Sequence, residues 1–253
     1  MKENLSAILI AHNEEKVIGS MIGGLLRNYD SEILELIVVD DGSTDRTSDI
    51  VQSYKGLSNK VKLVRKGPPC GVGRAIRAGF QNVSPKADYV LTMDSDFIEN
   101  IPEVRSLIVK IEEGVYDGVL GSRFIEGGRL VNYPSGKKTM NRLWHFLVRA
   151  LFHIKQKDLT NNFKLYKARI IKNLPWKSNG FSINAETGLL PIICGYSVAE
   201  VPVSWIGRNP EMGKSKFRLF RVGWGYVQVI IYASQLLIRK RSIKRGIRQF
   251  THF

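Results

Sequence analysis

Short apolar runs alternate with longer segments of helical period through the first half of the chain. Residues 7–10, 36–39, 61–64, 89–93 and 118–120 are apolar almost throughout, the pattern of strands buried on both faces. Between them, 15–27, 44–54, 73–82 and 102–113 have the composition of helices. Strand–helix alternation predicts right-handed βαβ units and an α/β fold, with a mostly parallel sheet flanked by helices. Ligands of such sheets bind beyond the carboxyl ends of the strands. The polar clusters fall there: His12-Asn13-Glu14 after the first strand, Asp40-Asp41-Gly42-Ser43 after the second, Asp94-Ser95-Asp96 after the fourth. All three should converge on one cleft.

After Ser122 the alternation gives way. Gly127-Gly128 and Tyr133-Pro134-Ser135-Gly136 predict a loop, followed by a basic, aromatic helix over 137–154. Met140, Leu143, Trp144, Leu147 and Leu151 form its apolar face, with Arg142, His145 and Arg149 opposite. Residues 163–166 and 198–205 read as strands, 185–194 as a helix, and 217–238 as a long apolar helix with a basic tail. Around that last helix a narrow polar stripe (Arg218, Arg221, Gly225, Gln228, Tyr232, Gln235, Arg239) interrupts an apolar surface that includes Trp224, Val227 and Ile231. Its uncharged run, 222–238, is at the lower limit for crossing a bilayer. The pattern favours an interfacial helix over a spanning one, with a core helix as the third reading. The tail residues Arg239, Lys240, Arg241, Lys244, Arg245 and Arg248 add attraction to anionic lipid. The expected division is a catalytic domain over 1–216 and an amphipathic helix with tail over 217–253.

Charge sharpens the picture. The formal net charge of +15 in 253 residues favours a polyanionic partner: nucleic acid, an anionic membrane or a phosphorylated substrate. Acidic clusters at the strand ends would repel nucleic-acid phosphates unless a metal intervened, so no nucleic acid is expected. Cys70 and Cys194 are too few for a disulfide framework and read as free thiols. The apolar patch at 7–11 is too short for a signal-peptide core, and a cytoplasmic location is expected. The four histidines form no ligand cluster.

Asp94 and Asp96 flank one residue at a strand end, so both carboxylates project to the same side of an extended chain. They can share Mg²⁺ or Mn²⁺, which in turn neutralises a diphosphate; taken alone, they could also be solvated loop residues. Gly42, Ser43 and Asp45 are ordinary turn and helix-cap chemistry. Asp40, at the strand end, could accept from a base N–H or a ribose hydroxyl. Gly71 and Gly73 lack the third glycine of a dinucleotide fingerprint.

With these residues placed, the chain resembles the family 2 glycosyltransferases of the GT-A fold, and among them the dolichol-phosphate mannose synthases and related polyprenyl-phosphate glycosyltransferases. The resemblance rests on five ordered segments: the run from Ile37 to Asp45, Met93-Asp94-Ser95-Asp96, Gly121-Ser122-Arg123-Phe124 with Gly127-Gly128, the run from Asp158 to Lys164, and Glu200-Val201-Pro202 through Arg208 to Gly213-Lys214-Ser215-Lys216. It implies a nucleotide-sugar site bordered by Ile10, His12, Glu14, Val38, Asp40, Asp94 and Ser95. It also implies a metal on Asp94 and Asp96, and an acceptor-phosphate group of Arg123, Lys137, Arg208 and Lys216. Asp96, Arg123 and Asp158 would carry the catalysis. Ile98 stands where the family commonly has Gln, so the metal shell would draw on water or Glu99. Ile10 and His12 replace a usual Pro and Tyr, and Asn162 a usual Gly.

The reaction so implied is inverting transfer of a hexosyl group, from GDP-mannose or a UDP-hexose, to polyprenyl or dolichyl phosphate at the cytoplasmic face of a membrane. The protein would be peripheral or carry one short embedded helix. A lipid phosphate is already ionised near neutral pH and needs no strong base. A sugar hydroxyl on a growing glycan would need one, and Asp158 and Glu186 are the candidates. The non-enzymatic alternative is a membrane-surface scaffold that binds nucleotide sugars.

Overall fold

The computed structural model describes residues 1–207 and 219–250, with backbone alone at 219–222 and 240–250. Arg208, the 213–216 segment with Lys216, and the expected domain boundary therefore lie outside the described residues, as do the side chains of Arg221 and the tail beyond Arg239.

In chain order the first half runs β1 (Leu5–Ala11), α1 (Ile18–Tyr29), β2 (Ile33–Asp40), α2 (Thr47–Leu57), β3 (Val61–Arg65), α3 (Val72–Gln81), β4 (Tyr89–Asp94), a 3-10 helix (Ile98–Glu103), α4 (Val104–Glu112) and β5 (Gly118–Ser122). Then follow β6 (Arg129–Val131), α5 (Ser135–Phe152), β7 (Lys164–Lys167), α6 (Ala168–Asn173), α7 (Ile183–Ile193), β8 (Val198–Pro202), β9 (Ser204–Ile206) and α8 (Leu219–Phe250). The main sheet has seven strands in the order β3-β2-β1-β4-β7-β5-β8. Among the described residues only β7 runs antiparallel to its neighbours in this sheet, β4 and β5. The mostly parallel sheet expected of the GT-A fold is the one observed.

Apolar side chains of α1, α2, the 3-10 helix and α4 fill one face of the sheet, and those of α3, α5, α6, α7 and α8 the other. The layers are close. A Cβ on Gly188 of α7 would lie 2.2 Å from the carbonyl oxygen of Leu159, so only glycine lets α7 press on the segment that carries Asp158.

Three departures from expectation have local causes. The strand expected over 198–205 breaks at Val203, whose N–H bonds the Ser122 carbonyl at 3.0 Å, and its second half pairs with β6 as a separate ribbon. β6 and α6 are too short to show a period. The third departure concerns the face of α5. His145 and Val148 point inward, while Met140, Leu143, Phe146, Leu147 and Leu151 are exposed. His145 thus lies in the interior and not on a solvated basic face. α8 buries Val229 and Ala233 yet exposes Trp224, Val227, Ile231 and Ile238, so it is partly a core helix. Among the described residues no helix is long and apolar enough to cross a membrane.

Candidate active site

Strand register brings the predicted clusters together. Ile10 pairs with Asp94 across β1 and β4, and Ala11 with Asp40 across β1 and β2. The loops that follow are laced to each other: Thr44 N–H donates to Asn13 Oδ1 at 2.8 Å, and Glu14 N–H to Thr47 Oγ1 at 2.8 Å. His12 Nδ1 lies 2.9 Å from the Asp41 carbonyl, a pairing that requires the proton on Nδ1.

Asp40 accepts from Ser43 N–H at 2.9 Å and from the Ser48 hydroxyl. Its carboxylate therefore fixes the turn at Gly42, where φ is +75°, before it can serve a ribose or base. Asp41 braces the far side, accepting Gly71 N–H at 2.6 Å and pairing with Lys66 at 3.1 Å. Val38, expected beside the base, is instead fully buried in the core; its side chain is a packing group.

Asp94 ends β4 and Asp96 follows two residues later, with Ser95 buried between them. Burial, then the charge of Asp96, raises the Asp94 carboxyl to about 6, although Asn162, Lys137 and Arg123 pull the other way. Two oxygen donors that repel one another are a place where a hard cation relieves strain in charge. Among the described residues no group of three His, Cys, Asp or Glu could hold a metal, and Glu99 is exposed. The donor set fits a divalent ion, which Asp94 and Asp96 would hold.

Opposite this acidic side stands Arg123, buried and fixed from several directions. Its Nε donates to Asp158 Oδ2 at 2.7 Å, and its Nη2 to Asp158 Oδ1 at 2.9 Å and Thr160 Oγ1 at 3.0 Å. The Arg123 backbone N–H also reaches Asp158 Oδ2, at 3.0 Å. Burial opposes ionisation of Asp158, but the charge and hydrogen bonds of Arg123 outweigh it and hold the carboxyl down at about 2. His145 supports the same segment: its Nε2 accepts Leu159 N–H at 2.8 Å, and Nδ1 faces the Asn141 carbonyl at 2.7 Å. Both contacts suit a neutral ring, which burial favours.

Lys137 sits at the start of α5, half-buried, with Nζ 5.2 Å from the Tyr133 ring centre and 5.5 Å from that of Trp205. Burial and the charge of Arg123 push it down to about 8, against the pull of Asp94 and Asp96. Glu186, the second candidate base, is fully buried and accepts Lys177 N–H at 2.6 Å and Ser178 N–H at 2.7 Å. It holds a loop.

The sequence profile of glycosyl transferase family 2 matches residues 6–174. The chain belongs to this family. Among curated relatives, it is 26% identical over 199 residues to undecaprenyl-phosphate mannosyltransferase of Micrococcus luteus, covering 77% of this chain and 80% of that one. It is 28% identical over 211 residues to dolichyl-phosphate hexose transferase of Haloferax volcanii, covering 83% and 86%. Among solved structures, glucosyl-3-phosphoglycerate synthase of Mycobacterium tuberculosis with Mn²⁺ and UDP-glucose superposes with a TM-score of 0.64 at 21% identity, over 90% of this chain and 76% of that one. At that identity the likeness establishes the fold.

Within this family 2 site, sequence reasoning did not single out Tyr133, Thr160 or Trp205, and it set His145 aside. Trp205 and Tyr133 meet edge to face at 4.7 Å and wall in Lys137. Aromatic residues beside loop glycines and prolines were the available signal; their meeting depends on β6 pairing with β9.

Proposed function

We propose that this chain transfers a hexosyl group from a nucleoside diphosphate sugar, GDP-mannose or a UDP-hexose, to the phosphate of a polyprenyl or dolichyl phosphate, with inversion, at the cytoplasmic face of a membrane. The observation that carries the choice of acceptor is the state of the two carboxylates first considered as bases. Asp158 has both oxygens on Arg123 and is held at about 2, far too acidic to take a proton from a sugar hydroxyl. Glu186 is buried on two backbone N–H groups. An acceptor that arrives ionised suits such a site, and a phosphate does so. Naming of the two curated relatives for undecaprenyl phosphate and dolichyl phosphate supports the same reading.

Asp94 and Asp96 would hold the divalent cation, which supplies positive charge to the departing diphosphate. Ile10, His12, Glu14 and Asp40 border the nucleotide, and Ser95 lies between the carboxylates. Arg123, kept rigid by Asp158, places a guanidinium where negative charge is handed from acceptor to leaving group. Lys137, with Arg208 and Lys216, grips the acceptor phosphate. The decisive assay compares polyprenyl phosphate with the same polyprenol lacking its phosphate. Transfer should occur to the first alone; equal transfer to both discards the lipid-phosphate assignment.

The exposed face of α5 supports the membrane. Leu143, Phe146, Leu147 and Leu151 stand out beside the exposed Arg142 and Arg149, the composition of an interfacial helix. Burying one such side chain in lipid is worth roughly 1.5–3 kcal/mol. Phe146→Glu with Leu147→Glu should therefore weaken binding to vesicles containing anionic lipid by roughly a hundredfold or more. Binding unchanged in a vesicle sedimentation assay would remove α5 from the membrane contact.

A further inference from the structure

β4 and β7 pair antiparallel with Thr92 opposite Lys164. Two residues further along, the same register sets Asn162 opposite Asp94. The side chains meet: Asn162 Nδ2 donates to Asp94 Oδ1 at 2.8 Å. Asn162 cannot easily drift, because it is 2% exposed and its carbonyl accepts the Thr92 hydroxyl at 2.7 Å. Its neighbour Asn161 is anchored too, with Nδ2 on the Gly121 carbonyl at 2.9 Å. Asp94 is thus a carboxylate with one oxygen occupied by a fixed donor.

We propose that Asn162 is a positioning and cation-selecting residue: by holding Oδ1 it fixes the rotation of the carboxylate, so that Asp94 offers a metal one oxygen, Oδ2, in preference to both. The inference rests on the reading of Asp94 and Asp96 as the metal-holding pair. A one-oxygen carboxylate suits small ions that demand near-octahedral geometry, Mg²⁺ and Mn²⁺. Ca²⁺ tolerates two oxygens of one carboxylate and a higher coordination number. A carboxylate freed to rotate offers both oxygens and loses that discrimination. Hydrogen-bond partners of metal ligands commonly govern affinity in this way.

The test needs no acceptor and no turnover. Mn²⁺ binding is followed by electron paramagnetic resonance in the presence of UDP and, separately, GDP, with Mg²⁺ and Ca²⁺ as competitors. Asn162→Ala should weaken Mn²⁺ binding by roughly tenfold and raise the effectiveness of Ca²⁺ relative to Mg²⁺. Asn162→Asp, which sets a third carboxylate against Asp94, should lower the melting temperature without metal and regain it when Mn²⁺ is added. This second variant reports even if the alanine variant folds poorly. Binding by the unaltered protein with an unchanged Ca²⁺ to Mg²⁺ ratio in Asn162→Ala, or a melting temperature of Asn162→Asp indifferent to Mn²⁺, overturns the role of Asn162 alone. Absence of Mn²⁺ binding in the unaltered protein overturns the metal-holding pair itself, and Asn162's role with it.

Discussion

Asp94→Asn and Asp96→Asn should each lower hexosyl transfer by roughly a thousandfold, the equivalent of about 4 kcal/mol of transition-state stabilisation. A neutral amide is a poor ligand for a hard cation, so the charge on the departing diphosphate goes uncompensated. Stability should move the other way for Asp94. Its folded-state carboxyl is raised to about 6 by burial and by Asp96, so the ionised form is disfavoured in the fold relative to the unfolded chain. That penalty is absent below the unfolded value, grows as pH rises, and is complete above about 6. In metal-free buffer at pH 7, Asp94→Asn should melt at or above the temperature of the unaltered protein while having lost transfer. Full activity of either variant, or of the unaltered protein in excess chelator, rules out a metal-dependent step.

How far this site could be read in the sequence depended on what placed each residue. Asp40, Asp94 and Asp96 stand at the ends of apolar strands, and local period alone puts strand ends of a parallel sheet on one edge. The clusters after β1, β2 and β4 were legible for that reason. Residues set by pairing between distant segments were not. Asn162 reaches Asp94 only because β7 inserts antiparallel beside β4, and an isolated four-residue strand declares neither its direction nor its neighbours. The face of α5 was misjudged at His145 for a related reason. Apolar residues wrap most of that helix, and the inward side is chosen by what lies beneath: the Leu159 N–H needs an acceptor, and His145 supplies it. Asp158 was legible as important but not as a partner of Arg123, since their 35 residues of separation are closed by tertiary structure.

That pair makes the second large expectation. Arg123 and Asp158 are a buried, doubly bonded ion pair, and removing one partner of such a pair strands the other charge at a cost of about 3–5 kcal/mol. Asp158→Asn and Arg123→Met should each lower unfolding free energy by that amount at pH 7. Asp158 has a depressed folded-state value of about 2. Its contribution is therefore fully present above the unfolded carboxyl range and is lost as pH falls through about 2; neutral and mildly acidic solutions should show it equally. Combining Arg123→Met with Asp158→Leu removes both charges and should restore a good part of the stability, short of full recovery because the Arg123 backbone N–H also relies on Asp158. Transfer should not return with it. Loss of a preplaced cation at developing charge lowers turnover by roughly a hundred- to a thousandfold, and no repacking replaces it. Denaturant melts and initial rates on the same four proteins separate the two roles. If the double variant regains transfer along with stability, Arg123 is a structural cation and another group meets the phosphate.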